Sequence, residues 1–286
     1  MDILQLLFNG LVLGSVIALA AVGLTLTYGI LRLSNFAHGD FMTLGTYLTW
    51  LANISGINLG IAMLVGIVGT VTAMLTSEQF IWKPMRERRT TPTTLIIISI
   101  GLALFIRNGI LLFWGGSKKQ YNLPLIEDMN IGGVKISYQD LTVIALAFVA
   151  IIALHFLLQN TKIGKAMRAV ADNIDLARVS GINVEKVVLW TWVITGILTA
   201  LGGACYGLVT SILPDMGWLL LLQMFAAVIL GGIGNPYGAI AGGLTIGIAQ
   251  ELSLPLFGSE YKLGVALLIM IVILLVRPQG LFRGTA

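Results

Sequence analysis

The residues of this chain that are equipped for chemistry are few, and they sit where polar groups are expensive. Asn35, His38 and Asp40, with Phe36 and Gly39 between them, form a polar island directly between apolar runs, and Glu78, Arg107 and Glu251 lie inside other apolar runs. Such groups are costly in a bilayer unless they are buried in protein, paired or facing water, so they mark pathways or pairs. Glu78 is three residues from the inner end of its helix, with Lys83 and Arg86 in reach, and snorkelling is the favoured reading. Arg107 and Glu251 fall toward the same end of their helices and either pair with each other or leave Arg107 reaching the interface. No chain of carboxylates crosses the middle, which argues against a proton-driven carrier.

Other chemistries lack their parts. No GxxxxGK[ST] loop is present, so any ATP must bind elsewhere. His38 and His155 have no companion at metal-ligand spacing, and neither HExxH nor a cysteine cluster occurs, so no metal is expected. Gly14-Ser15 has no frame for an activated nucleophile. The run Gly231-Gly232-Ile233-Gly234-Asn235-Pro236-Tyr237-Gly238 has two readings. It is either a turn leading into a close-packing face, with Gly234, Gly238 and Gly242 at steps of four, or a broken helix whose ends point into a pathway.

The elements that must position these residues are membrane spans. With 57% apolar and 10% charged residues over 286 positions, and a mean hydropathy of +0.94, the chain is far from the about one-quarter charge of soluble domains. Glycine, at 34 residues, points to close helix packing and broken helices. The net charge of +4 is spread over short loops without an aromatic platform, so it reads as a topology signal and not as a nucleic-acid site. Cys205 lies in an apolar helix and reads as a buried structural thiol. No cleavable signal peptide is expected, since residues 1–5 lack a basic start.

Taken in order, spans are expected at 4–31, 60–81, 92–114, 141–158 and 187–209, with shorter apolar pieces at 41–52, 218–232, 238–254 and 263–276. The piece at 41–52 is too short to cross alone. Either its helix begins within the polar island, or the island is unwound backbone at membrane depth. Thr91-Pro92 is a capped helix start. The expected fold is an all-α polytopic bundle of eight or nine spans, some short or broken. Basic residues concentrate at Arg32, at 83–89, at 160–186 and at Arg277 and Arg283, which makes those segments and the C-terminus cytoplasmic.

The stretch 160–186 is a long basic loop amid membrane. Ile163, Met167, Val170, Ile174 and Ala177 recur on one helical face, leaving Lys165, Arg168, Asp172 and Arg178 off it. Gly181 suits a helix C-cap and Asn183 and Glu185 the next helix start; the stripe is either one helix or, if Asp172-Asn173 caps a second short helix, two helices with a bend. Such a loop presents a surface to a partner, and with no ATP motif in the chain that partner is expected to be a soluble ATPase.

Four stretches, NFAHGDFMTLGTY at 35–47, RAVADNIDLARVSGI at 168–182, GGIGNPYGAIAG at 231–242 and RPQGLFRG at 277–284, resemble the permeases of branched-chain and neutral amino acid ATP-binding-cassette importers, the LivH-type family. The resemblance implies a single permease domain over 1–286 in a bacterial inner membrane. It implies a heterodimer with a second, LivM-like permease, two cytoplasmic ATP-binding subunits, a periplasmic solute-binding protein and an amino acid substrate. ATP and Mg would then sit on the partners, with no cofactor on this chain and no enzymatic activity of its own. By position, Arg168, Asp172, Ala177 and Gly181 become ATPase-coupling candidates. Asn35, Phe36, His38, Gly39, Asp40, Gly231, Gly232, Asn235, Pro236 and Gly238 become candidates for the translocation path or its hinges. Related permeases handle urea or short amides, which stands as the alternative, ahead of a stand-alone secondary carrier.

Overall fold

The computed structural model describes residues 3–124 and 128–282, so Arg283 and Gly284 of the last stretch lie outside the described residues. Helix α1 (Ile3–Leu31) is followed by a non-helical segment, 32–37, and α2 (His38–Ile54). Next, α3 (Leu59–Ser77) passes through a π turn at 78–82 into α4 (Lys83–Glu87), and α5 (Pro92–Trp114) follows. A small hairpin, β1 (Met129–Ile131) against β2 (Val134–Ile136), precedes α6 (Tyr138–Asn160). Two short helices, α7 (Lys162–Asp172) and α8 (Ile174–Val179), lead to α9 (Val184–Val209). The chain ends with α10 (Met216–Gly231), α11 (Pro236–Leu252), α12 (Leu254–Phe257) and α13 (Lys262–Val276).

Local chemistry sets the helix ends. Thr91 accepts the Thr94 amide with Pro92 in the first turn, Ser137 and Asp140 form a reciprocal capping box, and Asn183 accepts from Lys186 N. Among the described residues, seven helices are long and apolar enough to cross a membrane, and α10 is a shorter apolar helix. The polytopic all-α reading therefore holds, and the polar island is explained by both of its alternatives at once. The helix starts inside the island, at His38, and the residues before it are non-helical backbone held in protein, with Leu33, Asn35 and Ala37 buried. The hairpin was not expected, since its residues read only as polar loop.

The core is built on α1 and α9, which are buried over most of their length and run antiparallel: Gly202 packs on Leu19 and Ala20, while Thr195 donates to the Gly23 carbonyl at 3.3 Å. Their surroundings repeat. As α1 leads through the non-helical segment 32–37 to the short α2, α9 leads through 210–215 to the short α10. As α2 packs on α3 and α5, α10 packs on α11 and α13, and α1 meets α11 as α9 meets α3. This is an inverted repeat, and its two halves touch where the short helices begin. A Cβ on Gly39 would run into the Gly217 carbonyl, and one on Gly217 into the Gly39 carbonyl.

Candidate functional site

The short helices start deep in the bundle. His38 Nε2 lies 2.9 Å from the Ala20 carbonyl and 3.3 Å from Thr199 Oγ1, in the middle stretches of α1 and α9. The Asn35 side chain turns the approach by accepting the Ala37 amide at 3.1 Å, and Phe36 N donates to Ser99 Oγ on α5 at 3.2 Å. Gly217 N donates to Thr43 Oγ1 at 3.1 Å, so α10 is tied to α2 by a hydrogen bond as well as by the glycine contact. The Phe36 ring meets Phe225 at 5.1 Å between centroids.

Asp40, in the first turn of α2, is fully buried and accepts from Arg107 Nε at 2.9 Å and Nη2 at 3.0 Å. The Arg107 guanidinium also lies 4.9 Å from the Trp218 ring centroid. Two expectations are corrected by the ion pairs of the spans. Arg107 pairs with Asp40 and not with Glu251, which instead takes Lys262. The pair escaped sequence reading because its members are 67 positions apart. Glu78 does not snorkel: its carboxylate is buried, accepts from Trp192 Nε1 at 2.7 Å, and is met by Arg86, which reaches toward it.

Residues 231–238 occupy a different place. Gly234 N donates to Thr25 Oγ1, and Gly29 packs on Gly234, roughly one and a half to two and a half turns further along α1 than Ala20, which His38 meets. Gly232 and Gly234 take φ of +103° and +88°, a region closed to most side chains, and so break the helix between α10 and α11. Asn235 caps α11 by accepting the Tyr237 and Gly238 amides, with Pro236 in the first turn. Gly231 and Gly238 approach each other closely, as do Gly242 and Ala227. The run is therefore a helix break followed by a close-packing face. The C-terminal segment closes over it, Leu281 N bonding the Leu230 carbonyl at 2.8 Å.

Of the two forms open for the basic loop, the structure has two helices with a bend at Asn173, whose side chain accepts the Asp175 and Leu176 amides. Met167, Val170 and Ala177 face inward, but Ile174, at the bend, is exposed and leaves the expected stripe. Gly181, at φ +86°, ends α8. Of the coupling candidates, Arg168, Asp172 and Gly181 are exposed while Ala177 is buried and serves packing. Sequence reading missed Leu176 and Val179, apolar yet 62% and 81% exposed on α8; an apolar residue off the buried stripe was the available signal. It also missed a tie between the two ends: Arg168 Nη1 donates to Gln159 Oε1 at 2.7 Å, and Gln159 Nε2 donates to Tyr237 Oη at 3.2 Å, at the start of α11. A cavity of about 260 Å³ lies there, lined by Leu26, Met167, Arg168, Asp172, Asn235 and Tyr237.

Comparison with known proteins agrees with this arrangement. The family described as the permease component of branched-chain amino acid transport systems matches residues 6–274. The high-affinity branched-chain amino acid transport system permease protein BraD of Pseudomonas aeruginosa is 31% identical, over 97% of this chain and 95% of its own. The corresponding LivH protein of Escherichia coli K12 is 32% identical, over 97% and 94%. In structure, PsaBC from Streptococcus pneumoniae, solved with a Fab, aligns with a TM-score of 0.55 at 13% identity, over 98% of this chain and 93% of that one, which speaks for the fold alone. A buried meeting of two short helices inside a multi-pass bundle, with a match to the family over nearly the whole chain, leads to one conclusion: this protein belongs to the branched-chain amino acid transport permease family.

Proposed function

We propose that the chain is the membrane-spanning subunit of an ATP-binding-cassette importer that carries branched-chain or other neutral amino acids across a bacterial inner membrane by alternating access. The observation that carries this reading is the contact of Gly39 with Gly217. There two short helices of opposite direction begin, as in carriers whose discontinuous helices flank a central pathway. The whole chain acts as one permease domain. Within it, 160–186 receives the motion of the ATPases, with Arg168, Asp172 and Gly181 at the coupling surface and Leu176 and Val179 as its apolar anchors. The path or its hinges include Asn35, Phe36, His38, Gly39 and Asp40 at one level and Gly231, Gly232, Asn235, Pro236 and Gly238 at the other. ATP and Mg are bound by the partner subunits, and a periplasmic binding protein delivers the substrate.

A second, LivM-like permease completes the path. Support comes from the uncovered face of α5, where Asn108 is exposed within a span and Gly101 and Gly109 have open space around them. Its Nδ2 donates back to the Leu104 carbonyl at 2.8 Å, and an amide exposed in a span suits a protein partner better than lipid. The test is co-purification with the two ATP-binding subunits, the second permease and the binding protein, followed by uptake of L-leucine into proteoliposomes. ATP-dependent uptake by the full set is expected. Gradient-driven uptake by this chain alone, insensitive to ATP, would refute the proposal.

A further inference from the structure

Arg107 is half-finished as an ion pair. An arginine carries five N–H donors, and here Nε and Nη2 each give one to Asp40. Among the described residues Nη1 has no acceptor. Asp40 is sealed at 0% side-chain exposure while Arg107 keeps 20%, so the free edge of the guanidinium is the part that reaches the surface. That surface is apolar and lies within the span. Trp218, Leu222 and Phe225 fall at i, i+4 and i+7 on one face of α10, all partly exposed, and Phe36 packs on the last of them.

Stability does not account for such a pair. Apolar residues of similar volume usually replace a buried ion pair without loss, and a donor left unmet in apolar surroundings is a cost. A planar two-oxygen acceptor would complete the fork, and a carboxylate is the group whose geometry matches it. The other partners already hold the guanidinium for this. Asp40 fixes its plane from behind, and Trp218 lies against it at 4.9 Å. The pair with Asp40 is neutral overall, so a zwitterion bound there adds no net charge to a poorly solvated site.

From this geometry, and resting on the importer reading above, we infer that Arg107 receives the α-carboxylate of the amino acid during passage. Asp40 and Trp218 position its guanidinium. The Trp218–Leu222–Phe225 stripe takes the apolar side chain, running roughly 10 Å from Arg107 to the Phe36 contact. Specificity at this step is then for a free carboxylate beside an apolar group.

The experiment uses the complete importer in proteoliposomes with L-leucine. Arg107→Gln is expected to lower ATP-dependent uptake roughly tenfold or more. The double variant Asp40→Asn with Arg107→Gln, in which no buried charge is unpaired, is expected to stay equally low, and Arg107→Lys to be intermediate. Uptake at the wild-type level in the double variant overturns the inference, because the pair is then structural only. Should the variants fail to assemble, a diazirine analogue of leucine activated during turnover of the wild-type complex decides the matter. Labelling of Trp218, Leu222 or the turns of α5 flanking Arg107 is the expected result, and labelling confined to other surfaces overturns it. A wild-type complex that shows no ATP-dependent uptake removes the importer reading itself, a failure distinct from loss in the variants alone.

Discussion

At the scale of single residues, burial decides what a charge does. Glu78 keeps 4% side-chain exposure and holds two partners from different elements, Arg86 on α4 and Trp192 on α9. Glu78→Leu leaves both donors unmet and is expected to lower stability by about 2–3 kcal/mol, whereas Glu78→Gln still accepts from the indole and should cost less. Thermal unfolding in detergent reads the difference; equal losses would mean that the indole bond adds nothing. Gly39 offers a second case, because a Cβ there meets backbone that cannot rotate away. Gly39→Ala is expected to destabilise by about 2 kcal/mol, the cost of overpacking a close contact, and Gly217→Ala to do the same. Among these residues the sequence exposed the cost of each polar group but left its partner open. Arg86 was legible because it lies eight positions from Glu78, and Asp40 was not because it lies 67 from Arg107.

At the scale of elements, the α7–α8 unit is held by its caps, by the packing of Met167, Val170 and Ala177 and by the Arg168–Gln159 tie, while its outer face is exposed. Asn173 accepts two amides of α8, and Asn173→Ala is expected to cost about 1 kcal/mol locally. Hydrogen exchange should then quicken at 174–179 and remain unchanged in α9. Val179→Asp places a charge on the most exposed apolar position of α8 and is expected to leave insertion intact while abolishing recovery of the ATP-binding subunits in a pull-down. Undiminished recovery would remove α8 from the docking surface. Gly181→Asp tests the same surface through the backbone, since φ +86° disfavours any side chain. The two-helix form of this unit was readable because caps are short-range: Asn173, Gly181 and Asn183 each act within three residues. The exposure of Ile174 was not readable, because a bend shifts the helical phase by an amount no periodicity records.

At the scale of the molecule, the basic loops set the orientation, and single introduced cysteines check it. The native Cys205 is buried among α9 contacts and gives little background. Lys165→Cys is expected to react with a membrane-impermeant maleimide only after the membrane is opened, and Lys118→Cys in intact cells; the reverse pattern would invert the topology. The main spans and several of the caps that start and stop them could be read along the sequence, and the side each loop faces is predicted from it, because hydropathy, capping and charge bias act within a single segment or along one loop. That the island at 35–40 and the start of α10 are the same place was settled by the packing of distant helices. The same packing makes the two halves of the chain repeat in opposite directions and brings Asp40 to Arg107. Those facts depend on which helices become neighbours, and that choice is made by backbone approach at Gly39, Gly217, Gly231 and Gly238, where the absence of a side chain carries no direction to its partner.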